Sequence, residues 1–82
     1  MKLLIFSSIA TREYDITYLE VETSVGNFVI LEGHAPLLLI LKAQEPIIFS
    51  RITSPESHEK EILPHGGILK VERDIVRLVA IT

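Results

Sequence analysis

The chain has no cysteine among its 82 residues. Disulfides and thiolate metal sites are therefore excluded, and a reducing compartment is compatible with it. Cations are in short supply: eight Lys and Arg stand against eleven Asp and Glu, for a net charge of −3. They are scattered and do not form the basic stripe that nucleic-acid binding uses. Long apolar runs are missing as well. The opening Met1-Lys2-Leu3-Leu4-Ile5-Phe6 stops at Ser7, with Arg12 and Glu13 close behind. A secretory apolar core takes about 7–15 residues, so this segment reads as a strand. Residues 37–41 form the other apolar run, and a membrane-spanning helix takes about 20 residues. The composition reads as a soluble chain, or one held at a membrane through a partner. Also absent is any amphipathic helical pattern of ten or more residues.

What is present is alternation with a period of two. Leu19 and Val21 interleave with Glu20 and Glu22, Leu69 and Val71 with Lys70 and Glu72, and Val76, Leu78 and Ala80 with their neighbours. That period marks half-buried strands. Residues 28–31, 37–41 and 75–81 are apolar at successive positions and are expected to be covered on both sides. Turn signals fall at Ser7-Ser8, Gly26-Asn27, residues 33–36, Glu45-Pro46, Ser54-Pro55-Glu56-Ser57, Gly66-Gly67 and Arg73-Asp74. They divide the chain into strands near 2–6, 12–16, 17–23, 27–31, 37–41, 46–53, 58–63, 67–72 and 75–81, with residues 53–61 as an exposed polar loop. The pattern predicts one all-β domain over residues 1–82, a two-sheet β-sandwich of about 8–10 short strands. A domain this small buries about 60% of its unfolded surface, so a permanent partner would add stability by mass action.

Candidate chemistry is sparse. The histidines, His34, His58 and His65, match no compact zinc spacing, and His58 lies in a polar stretch. No serine sits in a nucleophile elbow. Glu20 and Glu22 share a strand face, where a carboxylate pair could do acid–base work. A solvated edge, with like charges discouraging aggregation, is the plainer reading. Gly66-Gly67 precedes a strand and lacks the Lys-Ser/Thr of a phosphate loop. It reads as a turn with positive φ, or a close backbone approach. No catalytic, cofactor-binding or metal-ligating residue is assigned. The apolar content leaves room for a protein interface, with Tyr14, Tyr18, Phe28 and Phe49 as anchors or as core.

One stretch is more specific: Gly26-Asn27-Phe28-Val29-Ile30-Leu31, then Gly33-His34-Ala35-Pro36-Leu37-Leu38. It resembles the epsilon subunit of rotary ATP synthases. The opening Lys2-Leu3-Leu4-Ile5-Phe6 is similar to that family's first strand. Gly66-Gly67-Ile68-Leu69-Lys70-Val71 and Ile75-Val76-Arg77-Leu78-Val79-Ala80 resemble its closing hairpin. The resemblance implies a non-catalytic rotor subunit of a proton- or sodium-translocating synthase, binding the gamma subunit and the c-ring. It would sit peripherally on the cytoplasmic face of a bacterial inner membrane, or the organelle equivalent. By motif position Asn27, Glu32, His34 and Pro36 are the expected partner contacts. The resemblance covers the β-sandwich only, so the inhibitory C-terminal helices and the nucleotide site of longer family members are not expected. Three departures fall in turns. Glu32 replaces the usual proline before Gly-His, Ala43-Gln44-Glu45-Pro46 replaces a glycine turn, and Ser7-Ser8 stands where proline is frequent.

Two other readings compete. A stand-alone sandwich binding a peptide or sugar would need Tyr14 and Tyr18 to line one groove. A small metal-dependent enzyme would need His34 and His65 to converge. Fold alone does not separate these from a rotor subunit.

Overall fold

A computed structural model describes residues 1–81. Eight strands follow one another: β1 (Lys2–Phe6), β2 (Thr11–Thr23), β3 (Gly26–Leu31), β4 (Leu37–Leu41), β5 (Pro46–Arg51), β6 (Ser54–Ile62), β7 (Gly67–Val71) and β8 (Ile75–Ala80). No helix occurs among the described residues. The sandwich has one layer ordered β3-β2-β5-β6 and a second ordered β4-β7-β8-β1. Strand β2 is long enough to serve both. Its first residues pair with β1 (Leu3↔Tyr14, Ile5↔Arg12), its middle with β3 and β5, and its last, Thr23, with Leu41 of β4. The layers are thus hydrogen-bonded into one sheet at both ends of β2. The β1–β8 pair is parallel; the other pairings are antiparallel.

The alternation seen in the sequence builds the core. Leu3 and Ile5 of β1, Leu19 and Val21 of β2, Leu69 and Val71 of β7, and Val76 and Leu78 of β8 are all buried. Burying side chains of this size contributes about 1.5–3 kcal/mol each. In the closing hairpin, Gly66 has a φ of 73°, and a Cβ there would lie 2.4 Å from the Leu41 carbonyl oxygen. At Gly67 a Cβ would lie 2.6 Å from the Val79 oxygen. Both readings of the Gly66-Gly67 pair therefore hold: Gly66 combines a positive φ with a close backbone approach, and Gly67 shows the close approach alone.

Three boundaries differ from the sequence reading. Residues 12–16 and 17–23 are one strand of 13 residues. The change of side is absorbed by a bulge, where the pairing with β5 shifts register between Ile16 and Tyr18. Residues 53–61 are no loop; β6 runs from Ser54 to Ile62. Its side chains are polar because it is an outer strand, with Pro55 near its start, where a missing N–H is tolerated. The turn expected at Gly26-Asn27 falls at Ser24-Val25, since Thr23 pairs with Gly26. The buried Thr23 hydroxyl accepts from the Val25 N–H at 3.1 Å and donates to the Gly26 carbonyl at 2.9 Å, fixing this hairpin from inside.

Gln44 shows what a missing glycine costs. In the Ala43-Gln44-Glu45-Pro46 connection it adopts a φ of 65°, a conformation that strains a residue with a Cβ by about 1 kcal/mol. Its N–H donates to the Leu63 carbonyl at 2.9 Å.

Candidate partner-binding site

The turn from β3 to β4 carries three of the four expected contact residues. The His34 N–H donates to the Leu31 carbonyl at 3.1 Å, closing a four-residue turn with Gly33 at a φ of 81°. That is the third-position geometry of a type II turn, which glycine supplies without strain. Glu32 is exposed, His34 is half-buried, and Pro36 is exposed at the start of β4. The His34 ring donates from Nδ1 to the Ala35 carbonyl oxygen at 2.7 Å. Asn27 lies elsewhere. Four strand steps of about 3.3 Å each separate it from Leu31, so it sits at the opposite end of β3. Its amide donates to Glu20 at 2.9 Å and to Glu22 at 2.7 Å. The structure therefore brings Glu32, His34 and Pro36 together and sets Asn27 apart.

Glu20 and Glu22 lie on the outer face of a central strand, between β3 and β5, not on an edge. The Tyr18 hydroxyl donates to Glu20. This bond, then the one from Asn27, holds the Glu20 carboxyl below its ordinary range, while the same carboxylate raises the Tyr18 hydroxyl above its own. Ionised Glu20 is thus held by neutral donors. His58 stacks on Tyr18 with ring centroids 5.6 Å apart.

Tyr14 turns the other way. It packs against Phe49 at 5.0 Å, with the Arg51 guanidinium 4.6 Å over its ring. Phe49 is core, Phe28 packs against the core, and the bulge at residues 16–18 puts Tyr14 and Tyr18 on opposite sides of β2. They do not line one groove. Around Tyr14, Arg12 binds Glu61 through both terminal nitrogens, and Arg51 binds Glu59 at 2.5 and 3.0 Å. These pairs tie β6 to the rest of the sandwich, and the Glu61 bond raises the Arg12 guanidinium above its already high range. No group of three or more His, Asp or Glu among the described residues is arranged to hold a metal ion.

The surface that sequence reasoning missed is the outer face of β4, β7, β8 and β1. Residues 28–31, 37–41 and 75–81 were expected to be covered on both sides, yet Val29 and Leu31 of the first and the outward side chains of the other two are bare. Pairing aligns Ile40 with Ile68, Ile68 with Val79, and Val79 with Phe6. Ile40 is 69%, Ile68 42% and Val79 50% exposed. The next row runs Leu38, Lys70, Arg77, Leu4. An open groove of about 490 Å³ lies at the β4–β7 end of the face beside the β3–β4 turn, lined by Pro36, Leu37, Leu38, Lys70, Val71 and Glu72. Outward apolar residues paired across neighbouring strands were the available signal, once strand order was known.

The family described as the ATP synthase Delta/Epsilon chain β-sandwich domain matches residues 7–82. The chain is 35% identical over 68 residues to an ATP synthase epsilon chain of Psychrobacter sp. (strain PRwf-1). That alignment takes in 83% of this chain and 46% of the relative, so the chain spans about half the relative's length. A chain of the Tetrahymena thermophila mitochondrial ATP synthase central stalk and c-ring superposes with a TM-score of 0.82 at 11% identity, over 100% of this chain and 63% of that one. A chain of the Euglena gracilis mitochondrial ATP synthase assembly of OSCP, F1 and c-ring gives 0.83 at 14%, over 98% of this chain and 49% of that one. At such identities these two speak for the fold.

Proposed function

The chain belongs to the β-sandwich family of ATP synthase delta and epsilon chains, and on that premise we propose that it works as a non-catalytic subunit of the rotor. In this reading it grips the gamma subunit and meets the c-ring, so that ion flow through the membrane sector is coupled to ATP synthesis. It sits peripherally on the cytoplasmic face of a bacterial inner membrane or its organelle equivalent. The observation that carries the reading is the bare apolar face of β4, β7, β8 and β1, with its groove at Pro36. A single domain that leaves paired isoleucines and valine on one sheet face gains by covering them with another protein.

The expected contact residues then divide into two zones. Pro36, with Glu32 and His34 beside it, adjoins the apolar face and belongs to the gamma contact, where Glu32 pairs with a basic group of the partner. Asn27, at the far end of β3, belongs to the c-ring contact. Torque transfer favours a domain that does not shear. Close packing and the hydrogen bonds that β2 makes to both layers supply that stiffness.

Co-purification tests the proposal. Tagged chain is expected to bring down gamma and the c-ring in stoichiometric amount, and Glu32→Lys to weaken the gamma contact. Full recovery of the chain without gamma would contradict it. The peptide- or sugar-module alternative has lost its motivating feature, because Tyr14 and Tyr18 face apart.

A further inference from the structure

We propose that the surface docking on β4, β7 and β8 is apolar with an embedded carboxylate, which binds between Lys70 and Arg77. This rests on the rotor reading above and names the chemistry of its gamma contact.

On this face a single carboxylate serves two cations. Arg77 Nη1 donates to Glu72 Oε1 at 2.6 Å, and Lys70 Nζ lies 3.6 Å from the same oxygen. Lys70 and Arg77 are cross-strand partners. With Glu72 they leave one uncompensated positive charge. Across the face, Lys2 meets Glu13 at 2.7 Å and Asp15 at 3.8 Å; that group carries one excess negative charge. The positive group stands within the apolar rows, between Leu38 and Leu4 in its own row and beside Ile68 and Val79 in the next. Lys70 and Glu72 of this group also line the groove at Pro36.

A purely apolar partner would desolvate Lys70 and Arg77 with half a counter-ion each, which is unfavourable. An apolar partner with one carboxylate covers Ile40, Ile68 and Val79 and completes the pairing. Such a bidentate acceptor suits the arginine fork. The opposite layer offers no such fit: its outer face carries Glu20 and Glu22 on neutral donors.

The test is titration of the chain with purified cognate gamma subunit at low and at high salt. The wild type is expected to bind, less tightly as salt rises. Ile68→Asp should lose about 30-fold or more in affinity. Lys70→Gln combined with Arg77→Gln should lose about tenfold and flatten the salt dependence. These neutral changes add no repulsion against Glu72, and a thermal melt confirms folding of each variant. A Lys70→Arg, Arg77→Lys double variant should restore most of the affinity. If Ile68→Asp abolishes binding while the glutamine pair changes neither affinity nor salt slope, the carboxylate is refuted and the rotor reading stands. If wild type does not bind gamma, the rotor reading itself fails. Self-association of the chain that Ile68→Asp abolishes would give the face to a second copy and overturn the inference.

Discussion

The two outer faces of this sandwich are built from the same strand pattern and end up with different surfaces. On the β3-β2-β5-β6 side, the outward polar residues of β2 are satisfied by each other and by neighbouring strands: Tyr18 and Asn27 hold Glu20, Asn27 holds Glu22, and His58 covers Tyr18. On the β4-β7-β8-β1 side, the outward residues are Leu38, Ile40, Ile68 and Val79, around a cationic pair with one shared counter-ion. The polar groups of the first face satisfy one another, although Val29 and Leu31 of β3 are exposed beside them; the cationic pair of the second is left short of a counter-ion. The difference teaches that period-two alternation sets the core side of a strand and leaves the outer side free to be spent on solvent or on a partner.

Neighbouring residues of β7 break this comparison most directly. Leu69 is buried and Ile68 faces out. Leu69→Ala should destabilise the fold by about 2–5 kcal/mol, read as loss of the thermal transition at physiological temperature, and both faces go with it. Ile68→Asp should leave stability within about 0.5 kcal/mol while removing gamma binding. Val29→Asp, on the other outer face, should leave both nearly unchanged in the same melt and titration.

Smaller changes sharpen the picture. The Ser50 hydroxyl is buried with no hydrogen-bond partner among the described residues. Ser50→Ala should therefore raise the melting temperature, by about 1 kcal/mol of stability. Gln44→Gly relieves the left-handed backbone but loosens the unfolded chain, so a net gain below about 1 kcal/mol is expected. The smallest effect concerns Glu20. Its carboxyl is depressed by Tyr18 and Asn27, so its stabilisation is present above the ordinary carboxylate range and fades as pH falls through the depressed value. Wild type should exceed Glu20→Gln by less than about 1 kcal/mol at neutral pH, and their melting curves should converge in acid.

Much of the fold was legible because alternation and turn chemistry are local. Leu69-Lys70-Val71 and Val76-Arg77-Leu78 alternate as they pack, and Gly66-Gly67 sits where both a positive φ and a close backbone approach require glycine. Strand β6 was misread because its inner positions, Glu59 and Glu61, face arginines and not apolar core. The break expected within β2 was a bulge, which leaves no mark in composition. The turn at Ser24-Val25 is set by the Thr23 hydroxyl, two residues before the Gly-Asn pair that signalled it. Of the expected contact residues, Glu32, His34 and Pro36 could be placed together by adjacency. The bare face could not, because Ile40, Ile68 and Val79 become neighbours only through strand order.

Amide hydrogen exchange of the chain with and without gamma tests the central claim most directly. Docking on the bare face predicts added protection in residues 37–41, 67–71 and 75–80, with residues 18–22 and 26–31 unchanged. Protection confined to β2 and β3, or none on adding saturating gamma, would contradict it.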